Sequence, residues 1–551
     1  MNRRFYPSLG LALFAPFDGT SKSSPWLRAC RAIVLLLLVF ATGRVTLAQM
    51  PASCVVGINV YYIDNGSGVD SHSQSQAKSK STPWAHSPYQ LTFTGSYSHT
   101  AGDCFIFKGG DTWLNADSFS FTNGGNSVVQ DYYGVDTSWF TGGSFARPIM
   151  DIQSKATPAK NFNFNAGYIT VDNWEVKNAS CNSSSTQIIF SPNANHGIYV
   201  TNNYVHAFQP PSAGCSSNEI LVQQSGGTPP CDGLFDHNVV NGADGNTGYY
   251  TESNHGNDCS PITNNVFHDL CSAVNNYTHL VAYNLIYNVG GWSGAAHNCS
   301  ATGGFHPDGI QTDADTDIHD NVIYNVVGEW IQLSPHGSAA WPVSHVYNNV
   351  EFQTPADTNI APPDIQLGTG GDNFSPNGVV YIFNNTMQCG NDGCVFFEQT
   401  NLQSVTIQNN HQINPSGTAS ICINNPPFNN AACTKATANF MYNASSEIYQ
   451  TETEATAAGY TQTAPYYYSP QSASSPTVGI GVNNTFDCNP GMLLCTDTGY
   501  GVVVNPGNIA IAGRAPNNRP PGGAWDAGAY AFNSNSSDPP AAPSGLIATV
   551  Q

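Results

Sequence analysis

The segment Gly303-Gly-Phe-His306-Pro-Asp308-Gly-Ile-Gln311 is the one best suited to chemistry. A glycine-flanked His-Pro-Asp at the junction of a loop and a strand can present an imidazole and a carboxylate on one rim. His306 could serve as a base near neutral pH, with Asp308 orienting it or acting as an acid. Glu329 follows downstream beside Trp330, and Glu252-Ser-Asn-His255 lies upstream. Strands stacked in register would bring Glu252, Asp308 and Glu329 onto a single face, with His255 close by. His-Pro-Asp-Gly is equally a good turn, and Glu329 can simply begin a strand. A second acidic run, Asp313-Ala-Asp315-Thr-Asp317-Ile-His-Asp320, alternates carboxylates that could hold calcium. It lacks the glycine and the terminal glutamate of an EF-hand loop, so a solvated turn explains it as well.

The elements that must position these groups show themselves as a repeat. A short β-branched or aromatic run, an Asn and a further apolar pair recur eight times, placing asparagines at 203, 238, 265, 284, 321, 349, 385 and 410. Asn tolerates the left-handed conformation of a sharp turn. Stacked one coil above another at about 4.8 Å, its amide can bond the same amide in the next coil, forming a ladder. A second register lies between the asparagines, in Ile220-Leu-Val-Gln223, Tyr249-Tyr-Thr-Glu252, Gly309-Ile-Gln311, Trp330-Ile-Gln332, Asp364-Ile-Gln366 and Phe396-Phe-Glu398. Its period of two is that of a strand with one face inward. Two strand registers per irregular coil fit a three-faced solenoid; propeller blades would recur at a regular 40 to 50 residues or so. The fold class expected is all-β: a single-stranded right-handed parallel β-helix with an N-terminal cap and loop insertions.

Composition agrees with sheets and turns. Of 551 residues, 10% are charged, and there are 52 Gly and 35 Pro; Asn, Ser and Thr replace the usual ionic surface. Residues 1–48 read as an export signal, with Arg28 and Arg31 ahead of the apolar run 32–41 and Thr46-Leu-Ala48 as a small-x-small site. No other stretch is long and apolar enough to span a bilayer. The net charge of −21 becomes more negative without that signal and disfavours a nucleic-acid partner. Of the 15 cysteines, Cys30 falls in the signal, and Cys389 with Cys394, Cys422 with Cys433 and Cys488 with Cys495 form close pairs. With export, disulfides are the expected reading, although spacing does not give their connectivity. The organisation expected is a signal over 1–48, an opening strand, cap and first coils over 49–160, central coils over 161–430, last coils and a closing segment over 431–532, and a disordered Ser/Pro-rich tail over 533–551.

Beyond the repeat, Tyr61-Tyr-Ile-Asp-Asn65-Gly-Ser, Thr82-Pro-Trp84 and Ala101-Gly-Asp-Cys-Phe-Ile-Phe-Lys-Gly-Gly110-Asp-Thr-Trp113 resemble the opening of secreted members of the pectate-lyase-like β-helix superfamily. Asp526-Ala-Gly-Ala-Tyr-Ala-Phe532 is similar to their closing segment. That superfamily holds lyases, hydrolases, epimerases, tailspikes and adhesins, so the resemblance implies the fold and suggests a polysaccharide. Between Lys177 and Lys435 there is no Lys or Arg. The Arg or Lys base of the pectate lyases, and their cation for the uronate carboxylate, therefore have no counterpart on the central coils. The Asp-Asp, Gly-His-Gly and Arg-x-Lys of polygalacturonase-type hydrolases are missing too. The resemblance leads us to expect a secreted carbohydrate-active protein, a polysaccharide hydrolase or a lyase using His or Tyr. The alternative is a non-catalytic glycan-binding or structural surface protein. His306, Asp308, Glu329, Glu252 and His255 are the catalytic candidates, and Trp330, Gln311, Gln332 and Trp292 the substrate contacts, with Trp341 and Tyr466-Tyr-Tyr468 as further stacking residues. No cofactor is required; calcium at Asp313, Asp315 and Asp317 is an option. A monomer is expected.

Overall fold

A computed structural model describes residue 54 and residues 59–532 other than 156, 180–186, 209–218, 225–230, 243–250, 257–259, 271, 277, 291–306, 313–315, 334–342, 355–364, 369–377, 390–393, 398–402, 415–420, 423–440, 463–465, 485–493 and 500–513. Side chains of the strand Thr251–Gly256 lie outside the description as well.

The chain winds into a right-handed parallel β-helix. One sheet of 13 strands runs from Val60–Ile63 to Met441–Ser445, and a second of 12 strands from Thr112–Leu114 to Ile448–Thr451. The third face carries five strands, Phe119–Phe121 to Thr251–Gly256, and then six, Val274–Asn276 to Ile421–Cys422. Strand Thr251–Gly256 packs beside Val274–Asn276, where one set gives way to the other. A single coil shows the logic: Leu280–Ala282, a turn at Tyr283 and Asn284, then Leu285–Val289, then the third-face strand Ile310–Thr312.

Period-two alternation sends one side chain in two to the interior. Val281, Ile318, Val346, Ile382 and Ile407 are buried one above another on the first sheet. Ile310, Ile331, Ile365 and Val395 do the same on the third face. Each such side chain contributes about 1.5–3 kcal/mol on burial. The first coils are filled by aromatics instead, with Phe119 over Phe162 and Phe162 over Phe190, each at 5.1 Å.

The eight repeat asparagines form one buried column. The Asn203 side-chain amide donates to Asn238 Oδ1 at 3.0 Å, and equivalent bonds run from Asn238 to Asn265, Asn284, Asn321, Asn349, Asn385 and Asn410. The backbone N–H of each also donates to the next Oδ1, as from Asn284 to Asn321 at 3.0 Å. The left-handed turn residue is not this asparagine but the one before it: Asn202, His237, Asn264, Tyr283, Asp320, Asn348, Asn384 and Asn409 have φ between 54° and 60°. The column's amides are thereby free to bond along the stack.

Beyond the strand Ile448–Thr451 and the short helix Glu452–Ala457, the described chain runs back along the turn column. Asn348 and Asn384 side chains donate to the carbonyls of Thr496 and Asp526, and the Gly528 N–H donates to the Asn409 carbonyl. Cys54–Cys104 and Cys389–Cys394 are disulfides. Among the described residues no helix is long and apolar enough to cross a membrane.

Candidate active site

Strand register decides which candidates meet. Ile310 pairs with Ile331 and Gln311 with Gln332, and the Gly309 N–H donates to the Glu329 carbonyl at 3.0 Å. Asp308 and Glu329 therefore occupy the same position in successive coils, just ahead of the third-face strands. The Glu329 N–H donates to Asp308 Oδ1 at 3.0 Å, and the two carboxyl groups are close enough for the charge of one to act on the other. Asp308 is wholly buried, whereas Glu329 is only part-buried.

Burial raises the Asp308 carboxyl well above its ordinary range, and the neighbouring Glu329 charge adds to the rise. Two carboxyls so close cannot both ionise, and the inner one keeps the proton. Gly328 makes room for the pair: a Cβ there would lie 2.6 Å from Asp308 Oδ1 and 2.6 Å from the Pro307 carbonyl oxygen.

One coil below, the Ala273 N–H donates to the Asp308 carbonyl, setting Ser272 beneath Asp308. Beside this row runs a second, in which Asn275, Gln311, Gln332 and Gln366 stand at matching positions of successive strands. Their neighbours Ile310, Ile331 and Ile365 face the core, so alternation turns the amides to the outer face of the sheet.

Other candidates fare differently. Trp330, expected as a stacking platform, is completely buried and belongs to the main hydrophobic core, so it presents no ring face to a sugar. Gln311 and Gln332 lie on the expected face but are 2% and 1% exposed, so they are not open surface contacts. Glu252 and His255 lie on the third-face strand Thr251–Gly256, paired with Ile220 and Gln223. That strand precedes the one carrying Ser272's neighbours, and the placement of the two side chains is outside the description. His306, Trp292, Trp341, Asp313 and Asp315 also lie outside the described residues.

Asp317, expected as a calcium ligand, instead accepts from His345 Nδ1 at 2.6 Å. Among the described residues no three His, Cys, Asp or Glu are grouped to hold a metal ion. Tyr467 is stacked on Phe352 at 4.4 Å, Tyr468 is buried, and Tyr466 lies against Arg514, so this run fastens the closing segment to the coils. Sequence reasoning missed Ser272 and Gly328. The Ser272 strand lacks the Ile-Gln pair that marks its neighbours, and the role of Gly328 appears only once Pro307 and Asp308 lie beside it.

No family model matches the chain, and no curated protein matches it. Among solved structures the chain is similar to the GH136 lacto-N-biosidase from Eubacterium ramulus, at 11% identity over 71% of this chain and 68% of that one, with a TM-score of 0.38. It is also similar to pectate lyase Pel9A, at 14% identity over 87% of this chain and 98% of that one, with a TM-score of 0.39.

Proposed function

We propose that this chain is a carbohydrate-active enzyme that hydrolyses glycosidic bonds outside the cell, with Glu329 as its catalytic residue and Asp308 as a positioning residue. The observation that carries this reading is the carboxyl pair itself, set at one position of successive coils, one member buried and the other part-buried. Asp308 keeps its proton in its buried place, and Glu329, part-buried beside it, is the member of the pair that solvent reaches. Glu329 takes a proton from an attacking water as the glycosidic bond breaks, and the departing sugar oxygen takes its proton from a second acid across that bond.

Hydrolysis by two acids requires carboxyls about 5–9.5 Å apart. The neighbouring carboxyls therefore serve as one of the two groups, and the second acid in this reading is the imidazole of His306, two residues before Asp308 in the sequence. Hydrolysis is favoured over elimination because the stretch between Lys177 and Lys435 has no Lys or Arg to neutralise a uronate. The disulfides Cys54–Cys104 and Cys389–Cys394 support an oxidising, extracellular setting.

The test is release of new reducing ends from a panel of polysaccharides. Glu329→Gln should lower kcat by a factor of about 10²–10⁴, as for loss of a general acid or base. Asp308→Asn should lower kcat less and shift the pH profile. If the wild-type protein binds a glycan but releases nothing from any of them, the chain is a glycan-binding surface protein and the catalytic reading is wrong.

A further inference from the structure

The chain between the strands Val60–Ile63 and Cys104–Gly109 forms the N-terminal cap. Val60–Ile63 is the first strand of its sheet, and the cap pairs with it at Ile63 through Trp84. Trp84 is wholly buried, and Tyr89, Phe93 and Tyr97 pack against the same core. What fastens this segment to the first coil is a histidine set between two carboxylates. His86 Nδ1 lies 2.9 Å from Asp70 Oδ2, and Nε2 lies 3.5 Å from Asp117 Oδ1. Asp70 belongs to the cap, whereas Asp117 ends the single-turn helix Asn115–Asp117 of the first coil. Both acids are buried, and the ring between them is part-exposed.

The two carboxylates are held in place. Asp70 Oδ1 accepts from the N–H groups of Ala85 and His86 at 3.1 and 2.8 Å, and Asp117 Oδ2 from the N–H of Leu114 at 2.7 Å. Thr94 and Thr92 donate to the other oxygen of each. A neutral imidazole has one N–H and one lone pair. Between two carboxylates it donates to one and turns its lone pair on the other. The imidazolium offers an N–H to both, so the charged ring is the form that matches the site. Burial works against that charge, but the Asp70 hydrogen bond and the Asp70 and Asp117 charges outweigh it and hold the ring above its ordinary 6.5. At Asp70 too burial is outweighed, by the His86 ring and N–H, and the carboxyl stays below 3.8. Among the described residues, Asp70 from the cap and Asp117 from the coil are the charged groups that face the ring.

We propose that His86 is a proton-operated latch: protonated, it clamps the cap to the first coil, and on losing its proton it frees the cap and uncovers the edge of the strand Val60–Ile63. A group raised in the fold stabilises it below the unfolded value and loses that contribution as pH climbs through the folded one. The latch is therefore shut in mildly acidic surroundings and opens on the alkaline side of 6.5. The lowered Asp70 sets the other limit, keeping its side of the clamp until pH falls below 3.8. An uncovered edge strand is a template for pairing with another chain, so the latch also guards the solenoid against self-association. This device is separate from the carboxyl pair of Asp308 and Glu329 and does not depend on the hydrolytic reading.

Hydrogen exchange of the full-length protein, corrected for the intrinsic rate at each pH, reads local opening of the cap directly. Between about pH 5.5 and 9, protection over residues 69–99 should fall roughly 10-fold, the change that one unit of pKa shift carries. The strands near Val281 and Ile318 should keep their protection over the same range. His86→Gln retains the other cap histidines, His72 and His99; it should show low protection at every pH and no such fall. Asp117→Asn removes one of the two charges that favour the imidazolium and should move the fall to lower pH. Wild-type protection that does not change with pH, or a fall that persists in His86→Gln, overturns the inference. If His86→Gln does not fold, Asp117→Asn decides: a midpoint left where it is in the wild type overturns the latch.

Discussion

Single residues at the interior of this solenoid are chosen against the usual rule that its core is apolar. Glu351 faces inward between Ile323 and Met387, and burial raises its carboxyl well above the normal range. Glu447 occupies the rung after Asn410, accepting from that residue's N–H at 3.1 Å and side-chain amide at 3.0 Å, and from Gln412 at 2.6 Å. Burial lifts Glu447 from 4.5 to about 7, with the three donors opposing the rise. Between those values the unfolded chain loses this proton and the fold keeps it, so the contribution of Glu447 to stability falls as pH rises from about 4.5 to about 7 and is flat above. Glu447→Gln should remove that slope. Thermal unfolding between pH 4.5 and 8 should show the wild-type Tm falling by more than that of the variant, and the variant overtaking the wild type above pH 7. Parallel curves would mean that Glu447 does not titrate in this window.

At the scale of elements, the asparagine column shows what repetition accomplishes. Asn321 is typical: its Oδ1 accepts twice from Asn284, and its amide donates to the carbonyls of Val281 and His319 and to Asn349 Oδ1. Asn321→Ala would strand several buried backbone and side-chain groups at once, at about 1–3 kcal/mol each. Asn410→Ala, at the end of the column where Glu447 follows, should cost less, because a neighbour there has solvent access. Denaturant unfolding of the two variants compares them directly; equal losses would show that the column is not cooperative. These asparagines were legible from sequence because each recurs between apolar strands whatever the loop length. The carboxyl pair was half legible, since Asp308 and Glu329 both precede an Ile-Gln strand and so share a register. Trp330 misled because the residue before such a strand faces inward here, as the clearance required at Gly309 shows: a Cβ there would lie 3.3 Å from Ile323. No sequence period reports which side of a turn is filled.

Across the whole molecule, a stack of like coils needs its flank closed, and the returning C-terminal segment does this in part through a buried knot. Asp497, wholly buried, accepts from Arg514 Nη1 and Nη2 and from the N–H groups of Asn517 and Ala531. Arg514 also donates to the Thr498 carbonyl, and Arg519, buried nearby, donates to Asn348 Oδ1 at 2.8 Å, tying the knot to the turn column. Trp525 and Leu494 pack on Tyr347 and Phe383, adding an apolar seal. This arrangement was not legible as geometry: the Asp526–Phe532 segment was recognisable by resemblance, but its contacts join residues more than a hundred positions apart. Removing the Asp497 charge takes from the buried Arg514 the carboxylate it is paired with, a loss of about 3–5 kcal/mol for broken buried pairs. That loss falls on the returning segment and not on the coils, whose interior is continuous without it. Asp497→Asn should therefore give hydrogen exchange that is faster over residues 477–532 and on the turn residues Asn348, Asn384 and Asn409, with the strand amides near Val281 and Ile318 unchanged. Uniform acceleration across all coils would show instead that the closing segment and the solenoid unfold as one unit.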